Sequence, residues 1–167
     1  MTTSRRSFLL GTTAVAALGA TMVLLRPLGR SHAAEGTFEF TLTDEEWKKR
    51  LSPQAYAVLR QADTEFPGTS PLLAEHRPGT FACAGCDLPL FDAATKYESG
   101  TGWPSFYQPL ENAVGESTDY LLGYARTEVH CRRCGGHLGH VFNDGPPPTG
   151  LRYCMNGVSL TFEPTAA

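Results

Sequence analysis

The first 33 residues hold no acidic side chain, and the rest of the chain holds no surplus of basic ones. All 17 Asp and Glu lie after residue 33, whereas four of the 14 Lys and Arg (Arg5, Arg6, Arg26 and Arg30) lie before it. A body so acidic lacks the cationic footprint that neutralises phosphates, which argues against nucleic-acid binding driven by the backbone charge. There is no low-complexity segment and no internal repeat beyond two Cys-x-x-Cys pairs, so solenoid and disordered classes fall away. No long helical pattern follows Thr80. Cysteine is scarce and odd in number, five in 167 residues, so at least one thiol is left without a partner of its own.

The basic, acid-free start has its own logic. Ser4-Arg5-Arg6-Ser7 precedes a weakly apolar stretch from Phe8 to Leu25, and Ser31-His32-Ala33 is a small-x-small cleavage pattern. Residues 1–33 therefore read as a twin-arginine export signal, giving a periplasmic or otherwise extracytoplasmic protein. The competing reading is an uncleaved membrane anchor, since the apolar run approaches the spanning length of about 20 residues. Residues 34–42 read as a linker and 43–167 as one domain, long enough to bury a sizeable core.

Within the domain, Thr43 followed by Asp44-Glu45-Glu46 opens a short helix ending near Arg50: a capping hydroxyl, then acids in the first turn. Ser52-Pro53 opens a second, from about Pro53 to Thr64, with Tyr56, Leu59 and Ala57 facing inward. Phe66 to Gly79 reads as loop. Beyond Thr80, short apolar runs separated by turn residues give an antiparallel β pattern: Phe81-Ala82, Leu88 to Phe91, Tyr97, Trp103 to Phe106, Tyr120 to Arg126, Glu128 to His130, Gly139 to Phe142, Leu151 to Met155 and Val158 to Phe162. The expected fold is mainly β with short N-terminal helices.

Cys83-Ala84-Gly85-Cys86 and Cys131-Arg132-Arg133-Cys134 are two knuckles of the kind that each wrap one edge of a tetrahedral Cys₄ zinc site. Two disulfides, or a thioredoxin-type redox pair, are the rival readings. With four thiolates such a site is closed and structural. The twin-arginine route carries folded proteins, so zinc could be loaded before export.

Cys154 remains. His137 and His140 lie upstream across the Asp144–Gly150 turn. If that turn closes a hairpin, the imidazoles face the strand of Cys154, where they could lower its pKa and exchange protons near neutral pH. Asn156 shares strand parity with Cys154, although Asn156-Gly157 also reads as a plain hairpin turn. Ser99-Gly100-Thr101-Gly102-Trp103-Pro104 reads as a rigid loop, with Trp103 as core packing or as one wall of an apolar pocket.

Taken together, Cys83-Ala84-Gly85-Cys86, Gly102-Trp103-Pro104-Ser105-Phe106, His137-Leu138-Gly139-His140-Val141-Phe142 and Gly150-Leu151-Arg152-Tyr153-Cys154-Met155-Asn156 resemble the methionine sulfoxide reductase B family, from about Thr43 to Phe162. The resemblance implies a small β domain of two antiparallel sheets, tent-like, that reduces the R epimer of methionine sulfoxide in proteins or peptides. It implies Cys154 as catalytic cysteine, with His137, His140 and Asn156 around the sulfoxide oxygen. It implies Trp103 and Phe142 as substrate-binding residues, and Cys83, Cys86, Cys131 and Cys134 as ligands of one structural zinc. Many members carry a resolving cysteine where Thr101 stands. Its absence implies a sulfenic acid on Cys154 recycled directly by an external, thioredoxin-like thiol. A monomer is expected. A cysteine hydrolase or acyl transferase built on Cys154, His140 and Asn156, or a non-catalytic zinc module, are the competing functions.

Overall fold

The computed structural model describes residues 36–166; the signal, its cleavage site and the alternative anchor lie outside the described residues. Helix α1 (Asp44–Arg50) starts in a capping box: Thr43 accepts from the Glu46 N–H, and the Glu46 side chain accepts from the Thr43 N–H. Helix α2 (Pro53–Gln61) starts on Ser52, whose hydroxyl accepts from the Ala55 N–H. It stops short of Thr64 because Ala62 turns left-handed (φ 52°), where the Ala62 N–H donates to the Val58 carbonyl and the Asp63 N–H to the Ala57 carbonyl. That early stop frees Asp63, Thr64 and Glu65 from the helix and leads the chain toward the later site. The inward face of α2 is Ala55, Val58 and Leu59; Tyr56 and Ala57, expected inside, are only half-buried. A tyrosine hydroxyl keeps an aqueous or polar partner, here Asp44.

Among the described residues nine antiparallel strands follow: β1 (Gly79–Cys83), β2 (Pro89–Asp92), β3 (Lys96–Tyr97), β4 (Ser105–Phe106), β5 (Val114–Asp119), β6 (Arg126–Cys131), β7 (His137–Phe142), β8 (Arg152–Met155) and β9 (Leu160–Pro164). They form two sheets, a three-stranded one in the order β2-β1-β9 and a six-stranded one in the order β3-β4-β8-β7-β6-β5. The sheets meet on aromatic side chains. Phe106 of the large sheet stacks on Phe91 at 4.3 Å and meets Phe81 edge-on at 5.0 Å between centroids. All three are fully buried, each contributing about 1.5–3 kcal/mol of transfer free energy. Helix α2 lies over the start of β7, where Leu59 packs so closely on Gly136 that a Cβ there would sit 2.8 Å from its Cδ2.

Residues 38–40, read as linker, pack on the body. The Phe40 N–H donates to the Arg133 carbonyl at 2.9 Å, and its ring meets Trp47 at 5.7 Å.

Two strand expectations are corrected. Strand β5, Val-Gly-Glu-Ser-Thr-Asp, is largely polar because it forms the outer edge of the large sheet, so hydrophobic patterning passes over it. The apolar run Tyr120 to Arg126 is instead mostly the exposed loop joining β5 to β6; only Arg126 pairs in the sheet. The 66–79 loop also contains a 3₁₀ turn, Pro71–Ala74.

Candidate active site and metal centre

Strand register builds the site. Tyr97 pairs with Ser105, Ser105 with Cys154, Cys154 with His140, His140 with Glu128, and Glu128 with Ser117. Directly opposed residues share a face, so one polar row crosses all six strands of the large sheet. The Asp144–Gly150 turn does close a hairpin, and it sets His140 directly opposite Cys154. Strands β7 and β8 lie close here: a Cβ on Gly139 would collide with the Cys154 carbonyl.

The Cys154 thiol is half-buried, with Thr101 Oγ1 3.8 Å from its Sγ. Ser99 Oγ links that hydroxyl (2.8 Å) to Ser105 Oγ (2.7 Å). Burial pushes the thiol above its ordinary pKa, opposed by hydrogen bonding from Thr101 and by the Arg152 charge. The expectation that the histidines depress this pKa is thereby corrected: desolvation wins, and the opposing influence comes from hydroxyls and a guanidinium. Arg152 is held by a two-pronged pairing with Asp144, 2.9 Å at each prong, and lies 4.4 Å from the centroid of Phe142.

His140 Nε2 lies 2.9 Å from Asp119 Oδ2. Burial lowers the His140 pKa, partly offset by its bond to Asp119, so the imidazole rests neutral at pH 7. The Asp119 carboxylate also pairs with Arg126 and accepts from the Leu121 N–H at 2.7 Å. His137 sits one step further in. Its Nδ1 is 2.8 Å from Glu128 Oε1, and its ring meets that of His140 at 5.4 Å, near perpendicular. Burial alone would raise the Glu128 pKa, but His130, His137 and Ser117 hold it well below the usual carboxylate range.

Asn156 is not on a strand. Strand β8 ends at Met155, and Asn156 opens the 3₁₀ turn Gly157–Ser159, so neither strand parity nor a two-residue hairpin describes it. Its Oδ1 accepts from the Glu65 N–H and its Nδ2 donates to the Leu138 carbonyl, both at 3.0 Å. One amide hydrogen stays uncommitted. Glu65 ties the region together. Its carboxylate accepts from the Gly157 and Val158 N–H groups, and its carbonyl accepts from Trp103 Nε1 at 3.1 Å.

Cys154, His140 and Asn156 line one cavity of about 120 Å³, walled by Trp103 and Phe142 and closed by Thr64 and Arg126. Of the residues expected at the site, only His137 stands behind this wall. Arg152, Asp119, Glu128 and Glu65 were missed as functional candidates. Arg152 lies inside a quoted motif and was legible there. The three acids carry no local signal, because each reaches the site through pairing with a distant segment.

The four other cysteines are all buried and their Sγ atoms lie within 4.8 Å of one another. Cys83 and Cys134 are 3.7 Å apart, and Cys86 and Cys131 3.5 Å. A tetrahedron with Zn–S bonds of about 2.3 Å has S–S edges of about 3.8 Å, so four thiolates at these spacings fit one metal ion. Disulfide geometry at about 2.05 Å does not fit them.

A closed four-thiol centre, apart from a lone half-buried thiol that faces an imidazole in a pocket sized for one side chain, is the layout of a thiol-dependent enzyme on a β scaffold. Comparison with known proteins makes this specific. The SelR domain model matches residues 51–164. The peptide methionine sulfoxide reductase MsrB of Leptospira interrogans is 54% identical over 127 residues, covering 75% of this chain and 97% of that protein. Those of Leifsonia xyli (53% over 134 residues, 79% of this chain and 96% of that protein) and Pseudomonas putida (56% over 123 residues, 73% and 92%) are similar. The chain belongs to the peptide methionine sulfoxide reductase MsrB family.

Proposed function

We propose that this chain reduces the R epimer of methionine sulfoxide in polypeptides, with Cys154 as nucleophile. Family membership supports an oxidoreductase of this activity. The observation that carries the residue roles is the cavity that gathers Cys154, His140, Asn156, Trp103 and Phe142.

The substrate's methyl group rests against Trp103 and Phe142, and its oxygen faces His140 and the free Asn156 hydrogen. Cys154 sulfur attacks the sulfoxide sulfur. The oxygen is a poor leaving group until protonated, and the proton required is the one Cys154 gives up, carried by His140. A neutral imidazole opposite a protonated thiol is the resting pair that such a transfer needs. Attack forms a bond between the two sulfurs; the hydroxyl then passes to the Cys154 sulfur as the substrate's sulfur–oxygen bond and the new sulfur–sulfur bond both break. The products are methionine and a sulfenic acid: substrate sulfur reduced, cysteine sulfur oxidised, no other proton consumed. An external dithiol then condenses with the sulfenic acid, releasing water. Its second thiol displaces Cys154 and leaves the donor as a disulfide. Thr101 beside Cys154 supports an external donor, with a thioredoxin-like thiol the simplest.

Zinc is the metal proposed for the Cys83-Cys86-Cys131-Cys134 centre, where it joins β1 to the β6–β7 turn and adds folding free energy. Export by the twin-arginine route and a monomeric state complete the reading; the first rests on residues 1–33. Resolved R and S sulfoxides of a blocked methionine, with dithiothreitol as donor, test it. Turnover of the R epimer alone is expected; equal turnover of both, or of neither, refutes the assignment.

A further inference from the structure

Among the described residues, five large apolar side chains stand out as exposed: Phe66 (79%), Tyr120 (68%), Leu121 (52%), Leu122 (58%) and Tyr124 (59%). They fall in two segments, each next to a pocket-lining residue. Phe66 is two residues after Thr64, which closes the cavity, and one after Glu65, whose carbonyl holds the Trp103 indole. Tyr124 is two residues before Arg126, the other closing residue. Two residues of extended chain span about 7 Å, so both loops run straight into the pocket wall.

The 120–125 loop is also held in place. The Leu121 N–H donates to the same Asp119 carboxylate that binds His140 and Arg126, and the Gly123 N–H donates to the Tyr120 carbonyl at 2.9 Å. It is a turn fastened to the site by a site residue. Soluble proteins seldom leave several large apolar groups together in water without an interaction to serve.

The cavity says what that interaction is. At about 120 Å³ it holds one side chain, so the backbone and neighbouring residues of any polypeptide substrate must lie on its rim. Methionine is a core and interface residue, and its oxidation to the polar sulfoxide disrupts the packing it came from. The residues next to such a sulfoxide are therefore often apolar.

We infer that Phe66 and the Tyr120–Tyr124 loop form a docking rim for apolar residues next to a methionine sulfoxide in an extended polypeptide. This rests on the reading of the pocket given above. The rim makes the enzyme selective for sequence around the sulfoxide, while the pocket alone handles the isolated side chain.

The test compares three R-sulfoxide substrates with the full chain and dithiothreitol: a blocked methionine sulfoxide, a hexapeptide with Leu and Phe around the sulfoxide, and its counterpart with Ser and Gln. A variant replaces Phe66, Tyr120, Leu121, Leu122 and Tyr124 by Ser. The intact protein is expected to favour the apolar peptide over the polar one by about tenfold in kcat/KM, equivalent to roughly 1.4 kcal/mol. The variant is expected to lose that preference through KM while turning over the blocked amino acid within twofold, which also reports that it is folded. Equal rates on both peptides in the intact protein overturn the inference while leaving the pocket reading standing. No turnover of the blocked amino acid by the intact protein removes that reading and the inference with it. Unchanged peptide preference in the variant, accompanied by lost binding to phospholipid vesicles or by lost self-association, assigns the rim to a membrane or a second copy and also overturns it.

Discussion

Cys83, Cys86, Cys131 and Cys134 are 3% exposed or less, and each has a neighbouring thiol as its close polar contact. Cys154 is half-buried, opposite an imidazole, with two hydroxyl-bearing residues and a guanidinium bearing on its thiol. Four thiols facing one another can all ionise only around a cation, and such a centre then has no open position for a substrate. A single thiol at a cavity wall has access, and its protonation is set by neighbours that can exchange protons. One residue type is thus fitted to structure in one place and to chemistry in another, and what separates the two is the company each keeps.

Exchanging the settings gives the largest effects. Replacing Cys154 by Ser is expected to abolish sulfoxide reduction, a hydroxyl being a far weaker nucleophile near neutral pH, while bound metal and melting temperature stay as they were. Replacing Cys131 by Ser is expected to do the reverse at first hand: metal is lost by elemental analysis, and the protein melts many degrees lower because metal-binding free energy is folding free energy. A Cys131→Ser protein that kept its metal and its melting temperature would refute the four-thiol centre as a structural tie.

The third prediction makes Cys154 more like its paired relatives. Thr101 Oγ1 is 3.8 Å from its Sγ, so Thr101→Cys places two sulfurs within reach. After one turnover without reductant, the variant is expected to show a disulfide between the introduced thiol and Cys154 by peptide mapping, while the natural chain labels with dimedone at Cys154. A disulfide from Cys154 to a knuckle cysteine in the natural chain, with metal released, would overturn the separation of the two sets.

A smaller effect concerns the support of the site. Glu65→Ala leaves the buried Gly157 N–H and the half-buried Val158 N–H without their acceptor, expected to lower stability by about 1–3 kcal/mol in denaturant melts. Activity should fall further than stability alone explains, because Asn156 shifts with that turn.

The smallest effects are in pH. Arg152 opposes the burial that raises the Cys154 pKa, so Arg152→Met is expected to move thiolate formation, followed by alkylation against pH, further upward. His140 has its folded pKa below its unfolded value of about 6.5. The unfolded chain therefore binds the proton first as pH falls. Stability is unaffected by this group above about 6.5 and declines as pH drops toward the folded pKa. Chemical melts at pH 7.5 and 5.5 should show that decline weakened in His140→Asn.

Much of this was legible in the chain. Thr43 with Glu46, and Ser52 with Pro53, announced both helices because capping is local. The Cys-x-x-Cys pairs announced a four-thiol cluster fit to hold a metal ion because spacing alone fixes how a knuckle bends. His140 against Cys154 followed from a turn closing a hairpin. What escaped was non-local or unpatterned. Strand β5 is an edge, so its residues alternate with no apolar face to betray them. Helix α2 ended early at Ala62, a residue that seldom turns left-handed. Asn156 looked like a strand or hairpin residue and became the opening of a 3₁₀ turn, because Glu65, far away in sequence, accepts its successors' N–H groups.

The sequence by itself determined the two kinds of cysteine, the helix starts, the β character and the acidic body, since these depend on residue type and on spacing over a few positions. Only the tertiary structure decided that Asp119, Glu128 and Glu65 stand behind His140, His137 and Asn156. It also decided that burial raises the Cys154 pKa, and that Tyr120 to Tyr124 lie exposed beside the pocket. The physical reason is that desolvation and cross-strand partnership depend on which distant segments meet, and a side chain carries no local record of the neighbours that the sheet register will give it.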